Sequence, residues 1–212
     1  MSDIVIVGAG DLGREVAWLI EDMNRQRSAW NILGFVDDNQ SLHGTVVDDY
    51  PVLGGLDWLK EQRLNVVMGI GNPLGRKIVM EKLDGSQNIY PVLVHPNAIV
   101  SSRADLGKGT IVCAGNIVSI GAKVGVHSFI NLSSTVGHDA IMGDYCVLMP
   151  GVNVSGRVRL EECVSVGTGA AIIQGITIGA RTVIGAGAVV VRDLPADCTA
   201  VGSPAKPIKF RG

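Results

Sequence analysis

From Leu106 the chain divides into sixes: LGKGTI, VCAGNI, VSIGAK, VGVHSF, INLSST, VGHDAI, MGDYCV, LMPGVN, VSGRVR, LEECVS, VGTGAA, IIQGIT, IGARTV and IGAGAV, with Val190 opening the next. The first residue of every six is aliphatic, with no slip of register over 84 residues, and Val100 and Val94 extend the series backwards. Four residues after each step the side chain is mostly small, as at Thr110, Ala122, Ser128, Ala140 and Ala170. Gly falls most often one residue after the aliphatic, at 107, 125, 137, 143, 167, 179 and 185, where it suits tight corners. A hexad of this kind reads as one short strand and one turn. Three hexads close a triangular coil of 18 residues, a parallel β-helix. The seventeen hexads from Val94 make between five and six coils. Parallel strands stack about 4.8 Å apart, so residues 18 apart in sequence stand above one another, and the sequence can be read as vertical columns. An array of amphipathic helices would need a 3.6-residue period and few Gly, and neither is present.

Composition agrees with many turns around a narrow aliphatic core: of 212 residues, 47% are hydrophobic, 28 are Gly and only 4% are aromatic. Lys plus Arg number 18 against 20 Asp plus Glu, a formal charge of −2. No basic excess is available to neutralise a phosphate backbone, so nucleic acid is not expected as a partner. Apolar runs such as Ile4 to Val7 are broken by Gly within a few residues, far short of the roughly 20 that span a bilayer, and no secretory signal is expected. No membrane insertion is expected. Cys113, Cys146, Cys163 and Cys198 lack any CxxC pairing and read as small, semi-buried residues, which makes a reducing cytoplasm the expected location.

The first 90 residues lack the hexad and read as a small Rossmann-like α/β unit. Ile4 to Val7 is a buried strand, followed by GAGDLG and an amphipathic helix from about Gly13 to Met23. Asn31 to Val36 reads as a second strand ending at Asp37 and Asp38, and Asn65 to Ile70 as a third ending in GIGNPLGRK. This order implies parallel pairing. PVLVHPNA, residues 91–98, joins the parts, giving domains of 1–91 and 92–212. Gly8, Gly10 and Gly13 form GxGxxG directly after a strand, where backbone N–H groups and the helix dipole can hold a phosphate. With the acidic pair after the second strand, NAD is one reading of this pattern. A second is glycine serving only helix packing. The reading preferred is a nucleotide or nucleotide-sugar site, because the domain is roughly half a dinucleotide-binding sheet, and no NAD is expected.

Of four His, only His138 has neighbours that imply chemistry. It occupies the third position of its hexad, pointing away from the core, Asp139 follows it, and Gly156 lies 18 residues on in the same column. The absent side chain at Gly156 opens space beside the imidazole, and its N–H can face a developing oxyanion. An imidazole exchanges protons near neutral pH, and an adjacent carboxylate raises its basicity. His138 is therefore the candidate general base. His127, at a fourth position without an acidic neighbour, is expected at a surface or interface, and His95 is expected to cap the first coil. A catalytic metal would need three convergent His, so no metal is expected.

The unbroken hexads, the HPNAIVSSRADLG entry into them, STVGHDAIMGD, GVNVSGRV and the closing VGSPAKPI resemble the hexapeptide-repeat acyltransferases. With GAGDLGREV, VDD and GIGN at the amino-terminal side, the whole chain resembles bacterial sugar acetyltransferases of the PglD and NeuD type. The resemblance implies a left-handed β-helix and a homotrimer with active sites between subunits. It implies that His138 takes the proton from a sugar amine, that Asp139 raises its basicity, and that the Gly156 amide holds the thioester carbonyl of acetyl-CoA. It places further acetyl-CoA contacts at Thr168 and Ala186, which are 18 apart, and at Val147, where some members carry a second His. It places nucleotide-sugar contacts at Gly10, Asp11, Leu12, Asp37, Asp38 and Gly71, with Asn72 beside them; Asp11 and Leu12 stand where several relatives have Gly and His. The function expected is acetyl-CoA-dependent N-acetylation of a nucleotide-linked amino sugar, a UDP-4-amino-4,6-dideoxyhexose, for surface glycans. Alternatives are O-acetylation of a sialic-acid-type sugar and a non-catalytic, nucleotide-sensing trimeric scaffold.

Overall fold

The computed structural model describes residues 1–211. The amino-terminal domain is a five-stranded sheet of β1 (Ser2–Val7), β2 (Trp30–Val36), β3 (Val46–Val47), β4 (Tyr50–Gly54) and β5 (Asn65–Met68), in the order β3-β4-β2-β1-β5. β1 pairs parallel with β2 and β5, and β2 with β4; only the β3–β4 hairpin is antiparallel. Helices α1 (Asp11–Gln26), α2 (Leu56–Lys60) and α3 (Pro73–Lys82) complete it. α1 buries Val16, Ala17, Leu19 and Ile20, the spacing of one helical face, against a strand whose Ile4, Val5 and Ile6 are wholly buried. Gly13 is required by close approach: a Cβ there would overlap the Gly8 carbonyl oxygen, and one on Gly69 would overlap the Gly13 Cα.

The end of β5, the helices α2 and α3 and the β3–β4 hairpin differ from the expectation. The third strand stops at Met68, and GNPLGRK, read as its end, instead opens α3. Asn72 caps that helix by accepting a hydrogen bond from the Gly75 N–H at 2.9 Å, and Pro73 stands in its first turn, the favoured arrangement for a helix start. The β3–β4 hairpin turns at Asp48 and Asp49, both at positive φ (43° and 69°), as its two-residue turn demands.

From Leu93 the chain winds into a β-helix of two-residue strands on three faces. The first face stacks Leu93–Val94, Ile111–Val112, Phe129–Ile130, Val147–Leu148, Ser165–Val166 and Val183–Ile184, and is extended by Cys198–Val201 and the antiparallel Lys206–Phe210. The second runs from Ile99–Val100 to Val189–Val190, and the third from Asp105–Leu106 to Thr177–Ile178. Pairing is parallel with an 18-residue step, as in Ile117↔Thr135 and Lys123↔Ile141. The repeating aliphatics and the small fifth-position residues form one buried core from Val112 to Ala200.

The corner geometry corrects the role expected of Gly. From Gly109 to Gly187 the left-handed residue of each corner is the fourth of the hexad, not the second. Gly109, Gly115 and Gly121 hold φ near +70° there, and His127, Ser133, Asp139, Tyr145, Arg157, Cys163 and Arg181 hold +53° to +58° or +59° without glycine's freedom. Such a residue costs about 1 kcal/mol or more, and each is held by donating its N–H to the preceding coil, as Asp139 does to Ile120 and Arg157 to His138. The second-position Gly is needed for stacking: a Cβ on Gly137 would lie 2.5 Å from the Gly156 nitrogen, and one on Gly107 2.6 Å from the Val126 nitrogen.

The α/β domain sits on the lower part of the first face. Leu93, Ile111, Phe129 and Val147 share one apolar cluster with Ile6, Val16, Leu19 and Val67, each contributing about 1.5–3 kcal/mol by burial. All four Cys are free and buried. Among the described residues, no helix is long and apolar enough to cross a membrane.

Candidate active site

His138 stands on the corner between the second and third faces. Its Nδ1 lies 3.0 Å from Asp139 Oδ2, and its side chain keeps 44% of its surface exposed. The two residues stand in adjacent columns, each beside a glycine of a neighbouring coil. A Cβ on Gly156, one coil on, would lie 2.7 Å from His138 Cε1 and 2.8 Å from Cδ2, and would overlap Nε2; a Cβ on Gly121, one coil back, would overlap Asp139 Oδ1. The imidazole therefore lies over one glycine and the carboxylate over another. With Nδ1 donating to Asp139, Nε2 carries the lone pair and is free to take a proton. Among the described residues the Gly156 N–H finds no backbone acceptor, whereas its carbonyl accepts from Gly175.

Thr168 and Ala186 are exposed and stack on the corner between the first and second faces, each followed by a glycine, Gly169 and Gly187, beside which a Cβ would meet nothing within 4 Å. They form an open shelf along the helix axis. Val147 does not join them. It is wholly buried beneath the α/β domain, and its N–H is taken by the Val164 carbonyl; the expected acetyl-CoA contact at this residue is corrected to a packing role.

The amino-terminal candidates cluster at the carboxyl ends of β1, β2 and β5. Gly10 caps α1 with no side chain of its own, and Asp11 and Gly71 are exposed. A Cβ on Gly71 would lie 3.7 Å from Leu12 Cδ2. Both acidic residues are already engaged. Asp37 accepts from the Ala9 N–H at 3.0 Å and the Asn39 N–H at 2.9 Å, so it braces the glycine turn. Asp38 accepts from the Leu56 N–H at 2.9 Å and pairs with Lys82 at 3.0 Å; that backbone bond first, and Lys82 after it, hold its carboxyl below the usual range. A cleft of about 190 Å³ lies between Gly8, Asp37, Asp38 and Ile70. A second of about 420 Å³ runs from Gly71 and Asn72 to Ser165 and Val183 on the first face, three residues short of Thr168 and Ala186. The cleft thus opens from the Gly71 loop toward the strands that lead into the shelf, while His138 lies at a different corner of the same chain.

Of the two places expected for His127, surface or interface, the structure gives the interface between the β-helix and the α/β domain: it is 1% exposed, its carbonyl accepts from Arg76 of α3, and its ring is stacked 5.8 Å from Tyr145 and edge-on to Tyr90 at 5.0 Å. Burial first, then the Arg76 charge, push its pKa down to about 4. His95 opens the first coil, accepting from the Asn97 N–H at 3.0 Å, and also pairs with Asp22 of α1 at 3.3 Å. Sequence reasoning missed Arg76 entirely. It lies in α3, wholly buried, with Nε donating to the His127 carbonyl at 2.7 Å. The Asn-Pro pair at 72–73 was the one available signal, since it marks a helix start from which Arg76 and Lys77 follow.

Stacked hexads, an imidazole–carboxylate pair over a glycine and an open axial shelf define a hexapeptide-repeat acyltransferase. Residues 3–83 match the PglD N-terminal domain family. The chain is 33% identical to GDP-perosamine N-acetyltransferase of Escherichia coli O157:H7, over 96% of this chain and 95% of that protein. It is similar to the acetyltransferase domain of PglB from Neisseria gonorrhoeae FA1090 in complex with acetyl coenzyme A, with a TM-score of 0.88 and 31% identity over 98% of this chain and 99% of that one. PerB from Caulobacter crescentus, in complex with CoA and GDP-perosamine, gives 0.86 and 33% over 99% and 98%. The chain belongs to the PglD/NeuD-type sugar acetyltransferases, and its fold is a Rossmann-like domain followed by a left-handed parallel β-helix, reversing the usual crossover hand.

Proposed function

We propose that this protein transfers an acetyl group from acetyl-CoA to the amine of a nucleotide-linked sugar, a UDP-4-amino-4,6-dideoxyhexose destined for surface glycans. The observation that carries the reading is the His138 imidazole, oriented by Asp139 and lying over Gly156. The amine nitrogen attacks the thioester carbonyl carbon while Nε2 takes its proton, and the Gly156 N–H donates to the oxyanion that forms. Collapse of the tetrahedral adduct breaks the carbon–sulfur bond, and the imidazolium returns its proton to the departing sulfur. The products are the N-acetyl sugar and CoA. Thr168 and Ala186 hold the pantetheine arm along the shelf, and Gly10, Asp11, Leu12, Gly71 and Asn72 hold the nucleotide sugar. Asp37 and Asp38 shape that site chiefly by bracing the backbone around it. GDP-perosamine is the second acceptor to weigh, because the Escherichia coli relative bears its name and the Caulobacter complex contains it.

His138 and the Gly71 cleft lie at different corners of one chain, and the second face between the shelf and His138 exposes Ile99 and Ile117, 66% and 46%. A homotrimer that packs this face and brings one subunit's His138 to its neighbour's shelf accounts for both. Four free cysteines suit the reducing cytoplasm as its compartment.

The test is thiol release from acetyl-CoA with UDP-4-amino sugars, GDP-perosamine, UDP-hydroxy sugars and free sialic acid. Turnover of an amine that falls by about 10²–10⁴ in His138→Ala, with CoA affinity retained, is expected. Turnover only with a hydroxyl acceptor overturns the N-acetyl assignment, and normal turnover in the variant overturns the base.

A further inference from the structure

Arg76 is among the largest side chains with no exposed surface, and among the described residues no carboxylate pairs with it. Its Nε donates to the His127 carbonyl oxygen at 2.7 Å, and its Nη1 donates to the carbonyls of Ile70 at 2.7 Å and Met68 at 3.3 Å. The guanidinium carbon lies 5.8 Å over the Phe129 ring, and Nη2 has no partner. Desolvation lowers its pKa to about 9, so it remains a cation at neutral pH. A buried cation without a counter-charge carries a desolvation cost that a methionine of similar volume avoids, and such breaches of ordinary packing rules concentrate at functional sites.

What the guanidinium does and methionine cannot is join three carbonyls in a fixed fork. One belongs to Ile70, the residue before Gly71; another belongs to His127, on the corner between the third and first faces of the β-helix. The other polar ties from α3 to the β-helix are weaker: Lys77 to Glu162 at 2.9 Å is about one-third exposed on both sides and fixes geometry weakly, and the Cys163 thiol donates to the Pro73 carbonyl at a long 3.9 Å. We infer that Arg76 is a positioning residue for acyl transfer: it locks the Gly71 loop to the β-helix, so that the nucleotide sugar held there stands at a fixed distance from the shelf of Thr168 and Ala186. This rests on the function proposed above. A loosened fork leaves each ligand its own contacts and misplaces one against the other, and a misplacement of about 1 Å is worth about 10² in rate.

The test compares wild type with Arg76→Lys, which keeps the charge and loses the fork, and Phe129→Leu, which keeps Arg76 and removes the ring beneath it. Saturating kcat, calorimetric Kd for CoA and for the nucleoside diphosphate, and amide exchange at Gly71 and Asn72 are read on folded protein. The expected result is a kcat lowered at least about 10-fold in Arg76→Lys and less in Phe129→Leu, with both Kd values within about twofold. Exchange at Gly71 and Asn72 quickens, while the coil around His138 is unchanged. An unchanged kcat, a loss matched by weakened binding, or failure of both variants to fold makes Arg76 merely structural and overturns the inference. If wild type turns over no amine, the proposed function fails instead. The inference then stands or falls on exchange, and unaltered exchange at Gly71 refutes it.

Discussion

Replacing Gly156 by Ala tests the active-site geometry with one methyl group. The added Cβ would lie 2.7 Å from His138 Cε1 and 2.8 Å from Cδ2, whereas apolar contacts settle at about 3.5–4 Å, so the ring must retreat by about 1 Å. Gly156 has no positive φ, and the backbone accepts Ala without strain. The His138 side chain is 44% exposed and can swing into solvent, so the fold should lose little stability. The lone pair leaves its place beside the Gly156 amide, a displacement worth about 10² in kcat, or about 2.7 kcal/mol at 1.36 kcal/mol per tenfold. Steady-state thiol release measures kcat and the KM for acetyl-CoA, with a thermal melt as the folding control. Because the methyl acts through His138, Gly156→Ala combined with His138→Ala should be no slower than His138→Ala alone. A Gly156→Ala enzyme with wild-type kcat, or two losses that multiply in the double variant, would refute the reasoning.

Two further outcomes follow from buried residues. His127 is neutral in the fold, with a pKa of about 4 against roughly 6.5 unfolded; the unfolded chain therefore binds the proton first, and stability is full above about pH 6.5 and falls as pH drops toward 4. The loss approaches about 3 kcal/mol, and urea unfolding at pH 7 and pH 4.5 should show a smaller drop for His127→Asn, which tolerates the left-handed backbone; equal drops would remove His127 as the cause. Val147→Ala should cost about 2 kcal/mol of stability and leave the KM for acetyl-CoA unchanged, whereas a raised KM at unchanged stability would return Val147 to the cofactor site.

The β-helix was legible because its period is local: each hexad builds its own strand and corner, and stacking fixes the 18-residue column that brings His138 over Gly156. The resemblance to the hexapeptide-repeat acyltransferases pointed to Thr168 and Ala186, and the 18-residue step explains why they stack on one corner. The period could not say which glycines turn the chain and which merely let coils approach, since both depend on contacts with the next coil. In the α/β unit, the strand–glycine–helix pattern of β1 and α1 was legible, while the β3–β4 hairpin and α3 were missed although VVDDYP and Asn72–Pro73 carry the signals of a turn and a helix start.

The sequence by itself determined the repeat, the two-part architecture and the column that stacks His138 with Gly156, because those are set by regular spacing along the chain. Only the tertiary structure decided that Val147 and His127 are buried and that Arg76 is fixed to the corner at His127. Those facts arise where the α/β domain docks on the first face of the β-helix. The residues that meet there lie up to some 140 apart in the chain, and no periodicity relates one side of that contact to the other.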